Sequence, residues 1–313
     1  MQSMDIANKQ VDANAKPFLK WAGGKGQLLN VIDSILPVEL TNGSIEKYFE
    51  PFIGGGAVFF HLAQKFHFEE IYISDINREL IIAYKVIKKN VEPLIDALNN
   101  TEIEYLNLSS DERKEYYYKI RYVFNHNMSE INFDSFHSSW IERTAQLVFL
   151  NRTCFNGLFR VNKKGEFNVP YGKYKNPKIC DKKNLLKVSN LLEFTTIKRG
   201  DFSIFTNIID ENSFVYFDPP YRPLNTSSSF TSYSMFFFDD AAQLRLADYY
   251  GLLDKKGAKI VLSNSDPKNI NKEDHFFDNA YRGFNIKSVE ASRNINSKGN
   301  KRGKISELLI TNY

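Results

Sequence analysis

The feature that most limits the possible folds is a succession of short apolar runs rich in β-branched and aromatic residues, several of which lead into helical patterns. The runs are Lys47–Phe52, Ile71–Ser74, Thr195–Lys198, Ser213–Phe217, Lys259–Leu262 and Ile305–Thr311, and the helical patterns include Ala57–Phe66, Arg78–Lys89 and Asp239–Leu253. Strands that alternate with helices pair through crossover connections, which predicts an α/β sheet that is mostly parallel. From about Val91 to Trp140 the pattern turns helical, charged and tyrosine-rich, and Asn151–Pro177 reads as a glycine-rich loop. We therefore expect residues 16–85 and 190–313 to form one α/β unit, with residues 86–189 inserted in it as a mainly helical segment. Residues 1–15 have no hydrophobic period and read as a loose leader.

An apolar fraction of 42% and a charged fraction of 25% are ordinary globular usage, so disorder, collagen-like repeats and coiled coils are not expected for the bulk of the 313 residues. No window approaches the roughly 18 uninterrupted apolar residues of a membrane span, and the first residues lack the apolar centre of a signal peptide. Cys154 and Cys180 are the only cysteines and are too far apart for a C-x-x-C site. The five histidines are scattered. Neither a disulfide framework nor a metal site is expected, and a reducing, cytoplasmic setting is.

The net charge of +4 is unevenly spread. Residues 151–200 hold twelve Lys or Arg against three Asp or Glu, and residues 287–304 hold six basic residues against Glu290, which leaves −10 for the rest of the chain. Positive charge gathered into two segments on an acidic background points to a polyanion partner. The first segment interleaves Arg152, Phe155, Arg160, Phe167, Tyr171, Lys173, Tyr174 and Lys175. Cations among aromatics serve phosphate neutralisation and base stacking together, whereas a merely solvated face has no use for the rings.

Three short motifs bear on chemistry. In Tyr48-Phe49-Glu50-Pro51-Phe52-Ile53-Gly54-Gly55-Gly56-Ala57, a strand runs through three glycines into a helix, a turn that presents backbone N–H groups to a ligand. Asp75, nineteen residues after Gly56, ends a second apolar run, where a carboxylate can accept both ribose hydroxyls. Together they imply a nucleoside-bearing cofactor, although Phe59 takes the third glycine position of a dinucleotide fingerprint. A phosphate-loop reading of Ala22-Gly23-Gly24-Lys25-Gly26 fails, because Gly26 stands where Ser or Thr is required and Leu19 where the first Gly is.

The third motif is Phe214-Val215-Tyr216-Phe217-Asp218-Pro219-Pro220-Tyr221. An apolar strand delivers an acid, two prolines and an aromatic, and the prolines stiffen the turn while removing two N–H donors. Asp218 and the Pro219 carbonyl are acceptors suited to an exocyclic amino group that must attack a methyl sulfonium, with Tyr221 stacked on the base. Hydrogen bonds from that amino group draw its lone pair out of conjugation and toward the methyl.

With these motifs in view, the chain from Pro17 to Tyr313 resembles the DNA adenine methyltransferases of the Dam type (alpha group, D12 class), including GATC-modifying companions of restriction endonucleases. The motif order agrees, and Phe18-Leu19-Lys20-Trp21-Ala22-Gly23-Gly24-Lys25 is characteristic of that group. The resemblance implies a mostly parallel seven-stranded, Rossmann-like methyltransferase sheet, S-adenosyl-L-methionine as cofactor, and double-stranded DNA as partner, with a cognate endonuclease acting on the same site. It puts Trp21, Lys25, Glu50, Pro51, Gly54, Gly55, Gly56, Asp75, Asp201, Phe202 and Asp218 at the cofactor, and Asp218, Pro219, Pro220 and Tyr221 at the chemistry. In this analogy Phe202 packs on the cofactor adenine and Asp201 accepts its amino hydrogens. The segments Asn151–Arg160 and Gly165–Tyr174 resemble the part that reads GATC. Arg160 then faces a guanine edge, Leu158 and Pro170 make apolar base contacts, and Phe155 is the wedge. Tyr174 stacks near the vacated partner, Lys20 touches the outer guanine, and Arg152 and Asn156 join the DNA surface. Ser229 and Tyr233 belong to a loop, Ser228–Tyr233, that resembles the one closing over an everted base.

Other readings stay open at the level of sequence. Trp21 also reads as a core anchor, Phe155 and Tyr174 as packed aromatics, and Arg160 as a phosphate contact carrying no sequence choice. An RNA or protein amino methyltransferase, or a catalytically silent DNA-binding relative, would share much of the pattern.

Overall fold

The structure, a computed structural model, describes residues 15–222, 238–292 and 304–313. Among them β1 (Lys47–Glu50), β2 (Glu70–Asp75), β3 (Thr195–Arg199), β4 (Ser213–Phe217), β5 (Lys259–Ser265), β6 (Asn285–Ser292) and β7 (Lys304–Thr311) make one sheet in the order β3-β2-β1-β4-β5-β7-β6. The first five strands pair in parallel, and β7 lies antiparallel between β5 and β6. The mostly parallel sheet expected from the strand–helix pattern, with the seven strands that the resemblance implies, is the one observed.

β4 is buried at every position because it lies in the middle of the sheet with both faces covered, which is why it reads as an unbroken apolar run. β6 was not among the apolar runs. Its large apolar residues, Ile286 and Val289, pack on opposite faces, as an edge strand with one neighbour allows. The basic stretch 287–304 therefore begins inside β6 and ends at the start of β7, and residues 293–303 lie outside the described residues. So do nearly all of the proposed leader and the Ser228–Tyr233 loop, with Ser229 and Tyr233.

Helices α1 (Leu29–Asp33) and α2 (Val38–Asn42) precede β1, and α3 (Ala57–Lys65) connects β1 to β2. Between β2 and β3 come α4 (Arg78–Lys89), α5 (Val91–Asn107), α6 (Ser110–His126), α7 (Ser139–Thr153) and α8 (Lys182–Leu192). α9 (Asp240–Lys255) and α10 (Phe276–Ala280) follow β4 and β5. Local caps set several starts: Asn77 accepts from the Glu79 and Leu80 amides, and Ser109 with Glu112 forms a capping box.

Alternate residues of the strands feed two apolar layers. Tyr48, Ile73, Phe214, Tyr216 and Val261 join the layer of α3 and α4, while Phe49, Tyr72, Val215, Phe217 and Leu262 join that of α9. The first layer continues without a break into Leu98, Tyr117, Phe149 and Phe167. The helices between β2 and β3 thus share a core with the sheet.

An ion pair also ties them to it. Arg143 of α7 donates to both oxygens of Glu79 of α4 at 2.9 and 2.7 Å, donates to the Phe124 carbonyl, and lies 3.5 Å from the centre of the Phe124 ring. Both residues are buried. Arg143→Ala strands a buried carboxylate and is expected to cost about 3–5 kcal/mol in urea-induced unfolding. A loss below about 1 kcal/mol would show that water reaches Glu79 freely.

Candidate active site

The strand order reverses direction between β1 and β4, since β1 leads outward to β2 on one side and β4 to β5 on the other. A crevice opens at the carboxyl ends of the strands at such a switch. The loops there are tied together: the Ile53 amide donates to the Ser74 carbonyl at 3.0 Å and the Gly200 amide to the Asp75 carbonyl at 3.2 Å.

Asp218 leaves β4 at this point. One of its carboxylate oxygens lies 2.8 Å from the Lys25 ammonium and accepts the Ser263 hydroxyl at 2.9 Å. The Tyr216 hydroxyl in turn donates to Ser263 at 3.1 Å. Lys25 is only 4% exposed, also donates to the Gly23 carbonyl at 2.6 Å, and lies 4.6 Å from the centre of the Tyr221 ring. Lys25, which triphosphate chemistry leaves unexplained, thus faces both ends of the Asp218–Tyr221 turn. Burial raises the Asp218 pKa above the ordinary carboxylate value, while Lys25 and Ser263 oppose that rise. Glu50, at the end of β1, is buried behind them and accepts the Tyr48 hydroxyl. Burial pushes its carboxyl well above the usual range, and the neighbouring Asp218 charge adds to this.

The turn itself is braced. Gln243 donates to the Pro220 carbonyl at 3.0 Å and accepts from Asn264 at 3.1 Å, and the Tyr221 hydroxyl donates to Glu307 at 2.5 Å. Ser263, Gln243, Asn264 and Glu307 went unnoticed in the sequence. They reach the turn by strand adjacency and helix packing across 21 to 86 residues, which no local spacing signals.

Beside this turn lies the glycine loop. Gly54 and Gly56 have φ of 47° and 74°, in the left-handed region. A Cβ on Gly55 would lie 2.9 Å from Trp21 Cβ, and one on Gly56 2.6 Å from the Tyr84 hydroxyl. Bare backbone is therefore required for Trp21 to lie against the loop, with Pro51 buried at its start. Asp75 accepts from the Gly54 and Asn77 amides at 3.1 and 2.8 Å, and burial pushes its pKa up to about 6. Asp201 and Phe202, after β3, have protein partners of their own. Arg245 donates to both Asp201 oxygens at 2.9 and 2.6 Å, and holds the carboxyl down at about 2. The same guanidinium lies 4.0 Å from the centre of the Phe202 ring, which is 2% exposed.

The glycine-rich stretch after α7 is a pinned hairpin. Cys154 bridges to Tyr171 and Val161 to Phe167, the Phe155 amide donates to the Pro170 carbonyl at 2.8 Å, and Asn156 takes a left-handed φ of 58°. Phe155 is 50% exposed, and Asn156 and Pro170 are exposed beside it. Leu158 and Tyr174 are half-buried, and Lys20 is exposed with its ammonium 5.4 Å from the centre of the Tyr174 ring. Asn151 clamps the Lys20 backbone at both its N–H and C=O, each at 2.9 Å, and donates to Gly157 at 3.1 Å. Arg160 is held from its Nε edge by the Asn168 side chain at 2.7 Å. Arg152 differs from the rest. Its guanidinium is drawn inward to the Phe18 carbonyl at 2.8 Å, and its Nε is buried without a partner among the described residues. Trp21 stacks on Phe159 at 5.2 Å and 15°, so the hairpin and the glycine loop share a wall.

Lys25 opposes the desolvation of Asp218, so Lys25→Met should raise the Asp218 pKa further. A carboxyl whose folded pKa lies above its unfolded value contributes stability that is lost as pH rises through the folded pKa. The variant should therefore lose about 3–5 kcal/mol at pH 8 and distinctly less at pH 5 in urea titrations. Equal deficits at both pH values would mean that Lys25 does not hold the Asp218 charge.

A family model described as D12 class N6 adenine-specific DNA methyltransferase matches residues 21–295. The Type II methyltransferase M.MjaIII of Methanocaldococcus jannaschii is 55% identical over 299 residues, covering 95% of this chain and 99% of that protein. The DNA adenine methylase of Haemophilus influenzae is 33% identical over 296 residues, covering 94% and 92%. That of Escherichia coli K12 is 31% identical over 300 residues, covering 94% of each. Loops tied together at the sheet's switch point, a half-buried acid on a proline-stiffened turn and these similarities agree: the chain is an enzyme of the D12 class of N6 adenine-specific DNA methyltransferases.

Proposed function

We propose that this enzyme uses S-adenosylmethionine to methylate the exocyclic nitrogen of adenine within GATC in duplex DNA, with the target base turned out of the stack. The observation that carries this reading is Asp218, desolvated yet flanked by Lys25 and Ser263, at the head of a turn whose next aromatic is Tyr221. The glycine loop and Asp75 beside it suit the cofactor. A side chain at Gly55 would strike Trp21, so that wall is backbone, and Asp75 supplies acceptor oxygens where a ribose would lie. Bound there, S-adenosylmethionine supplies an electrophilic methyl on sulfur.

The chain's own groups do the rest. Asp218 and the Pro219 carbonyl accept the amino hydrogens and turn the nitrogen lone pair toward the methyl. Gln243 already occupies the Pro220 carbonyl, so the Pro219 carbonyl is the one assigned to the base. Tyr221 stacks on the base, and turning that base out costs roughly a few kcal/mol. Residues 86–189 form the recognition part, with Phe155 as the wedge, Arg160 on a guanine edge and Lys20 and Tyr174 alongside. The fork of Arg160 suits the two acceptors of guanine, and Asn168 fixes its plane. Arg152, drawn inward, supports the base of this surface. Relatives named as Type II methyltransferases favour a role beside an endonuclease of the same site.

Tritium transfer from labelled cofactor onto a GATC duplex, with scrambled duplex and RNA as controls, tests the reading. Label should enter the GATC duplex alone, and Asp218→Ala should abolish it while the far-ultraviolet spectrum stays unchanged. Transfer to RNA or equal transfer to scrambled duplex would overturn the assignment. In the same assay Arg160→Ala should relax discrimination at one base pair by about 1–3 kcal/mol, and a uniform loss across all sites would reduce it to a phosphate contact.

A further inference from the structure

Tyr221 is held at a point outside its own turn. Its hydroxyl donates at 2.5 Å to Glu307, which lies 86 residues away on β7. β7 is the reversed strand, so its early residues lie where the parallel strands end. The register sets Glu307 opposite Ser265 of β5 and Val289 of β6. The backbone carrying it is anchored as well. The Ser306 amide donates to the Asn269 side chain at 2.9 Å, and the Ser306 carbonyl accepts from the same side chain at 2.7 Å. The carboxylate therefore rests on a fixed strand between two neighbours.

We propose that Glu307 is a positioning residue for methyl transfer: it grips the Tyr221 hydroxyl and so sets the plane of the ring on which the target base stacks. This rests on the reading of Tyr221 as the base-stacking aromatic. A tyrosine ring joined only at its Cβ can tilt and swing, whereas one held also at its hydroxyl cannot. Here the Lys25 ammonium lies over the ring at 4.6 Å, and Glu307 takes the far end. Two groups of opposite charge thus address one ring, the cation at its face and the anion at its edge. Burial, with Asp218 and Glu307 close by, keeps the phenol protonated, so it remains a donor throughout the neutral range. Lys25 also touches Asp218, so a ring displaced from Glu307 would disturb the cation that faces the amino-group acceptor. Glu307 thereby connects the reversed strand to the geometry of the reaction without meeting substrate.

A double-mutant cycle tests this on the full chain, using Glu307→Ala, Glu307→Gln, Tyr221→Phe and the Tyr221→Phe/Glu307→Ala pair. Single-turnover transfer to GATC duplex and the KM for cofactor are measured, together with the fluorescence of 2-aminopurine placed at the target adenine. Glu307→Ala should slow transfer about ten-fold with the cofactor KM unchanged, and Glu307→Gln, which keeps an acceptor, should restore most of the rate. In the Tyr221→Phe background Glu307→Ala should cost nothing further. Everted 2-aminopurine should be brighter with Glu307→Ala than with the unaltered enzyme, because a loosened ring quenches it less. The same fold-loss in both backgrounds, a loss confined to cofactor KM or melting temperature, or unchanged fluorescence would overturn the inference. If the unaltered chain transfers no methyl group to DNA, the proposed function fails and this inference with it. An active chain with additive losses overturns this inference alone.

Discussion

The ion pair between Lys25 and Asp218 is the contact on which the rest of the active site depends. A carboxylate at the end of a buried central strand is costly without a cation, and a lysine almost removed from solvent is costly without an anion. Each makes the other tolerable, at 2.8 Å. The pair joins the first motif of the chain to the Asp218–Tyr221 turn, 193 positions apart by the numbers of its two residues. It also explains the local strictness around it. The glycines beside Lys25 free a carbonyl for its ammonium, and the prolines after Asp218 hold the acid and Tyr221 on the same side of the turn.

The sheet does the gathering. Asp75, Asp218 and Ser263 sit within two residues of the carboxyl ends of three strands, and parallel pairing brings those ends to one edge. Glu307 reaches the same edge only because β7 runs the other way. The hairpin after α7 is a second module, yet it is not independent. Phe159, beside Arg160, stacks on Trp21, and Trp21 lies on the glycine loop. Asn151 locks Lys20 to Gly157 in the same region. A change in the hairpin is therefore felt at the glycine loop through two rings and one amide, with no long-range motion required. The continuous apolar layer under α4, α5 and α7 makes that transmission stiff.

Much of the fold was legible, and for identifiable reasons. β4 read plainly because a strand covered on both faces must be apolar throughout. β6 did not, because an edge strand with Ile286 and Val289 on opposite faces has no period to detect. At the site, Asp218, Tyr221, Asp75 and the three glycines were visible as strand-end and turn chemistry. Arg152 looked like its basic neighbours, and only its burial and its hydrogen bond to the Phe18 carbonyl separate it from them. Asp201 and Phe202 were visible by likeness alone, and their attachment to Arg245 was hidden because it spans 44 positions.

By itself, the order of residues determined the class of sheet, the stiff acidic turn, the bare glycine loop and the basic, ring-bearing segment. All of these are encoded in short windows where sterics and burial act locally. Tertiary structure alone decided which groups hold which: Lys25 and Ser263 on Asp218, Gln243 on Pro220, Glu307 on Tyr221, Asn168 on Arg160. Buried polar groups must find partners wherever the packed chain brings a donor to an acceptor, and that pairing follows strand order and direction, which no window of sequence contains.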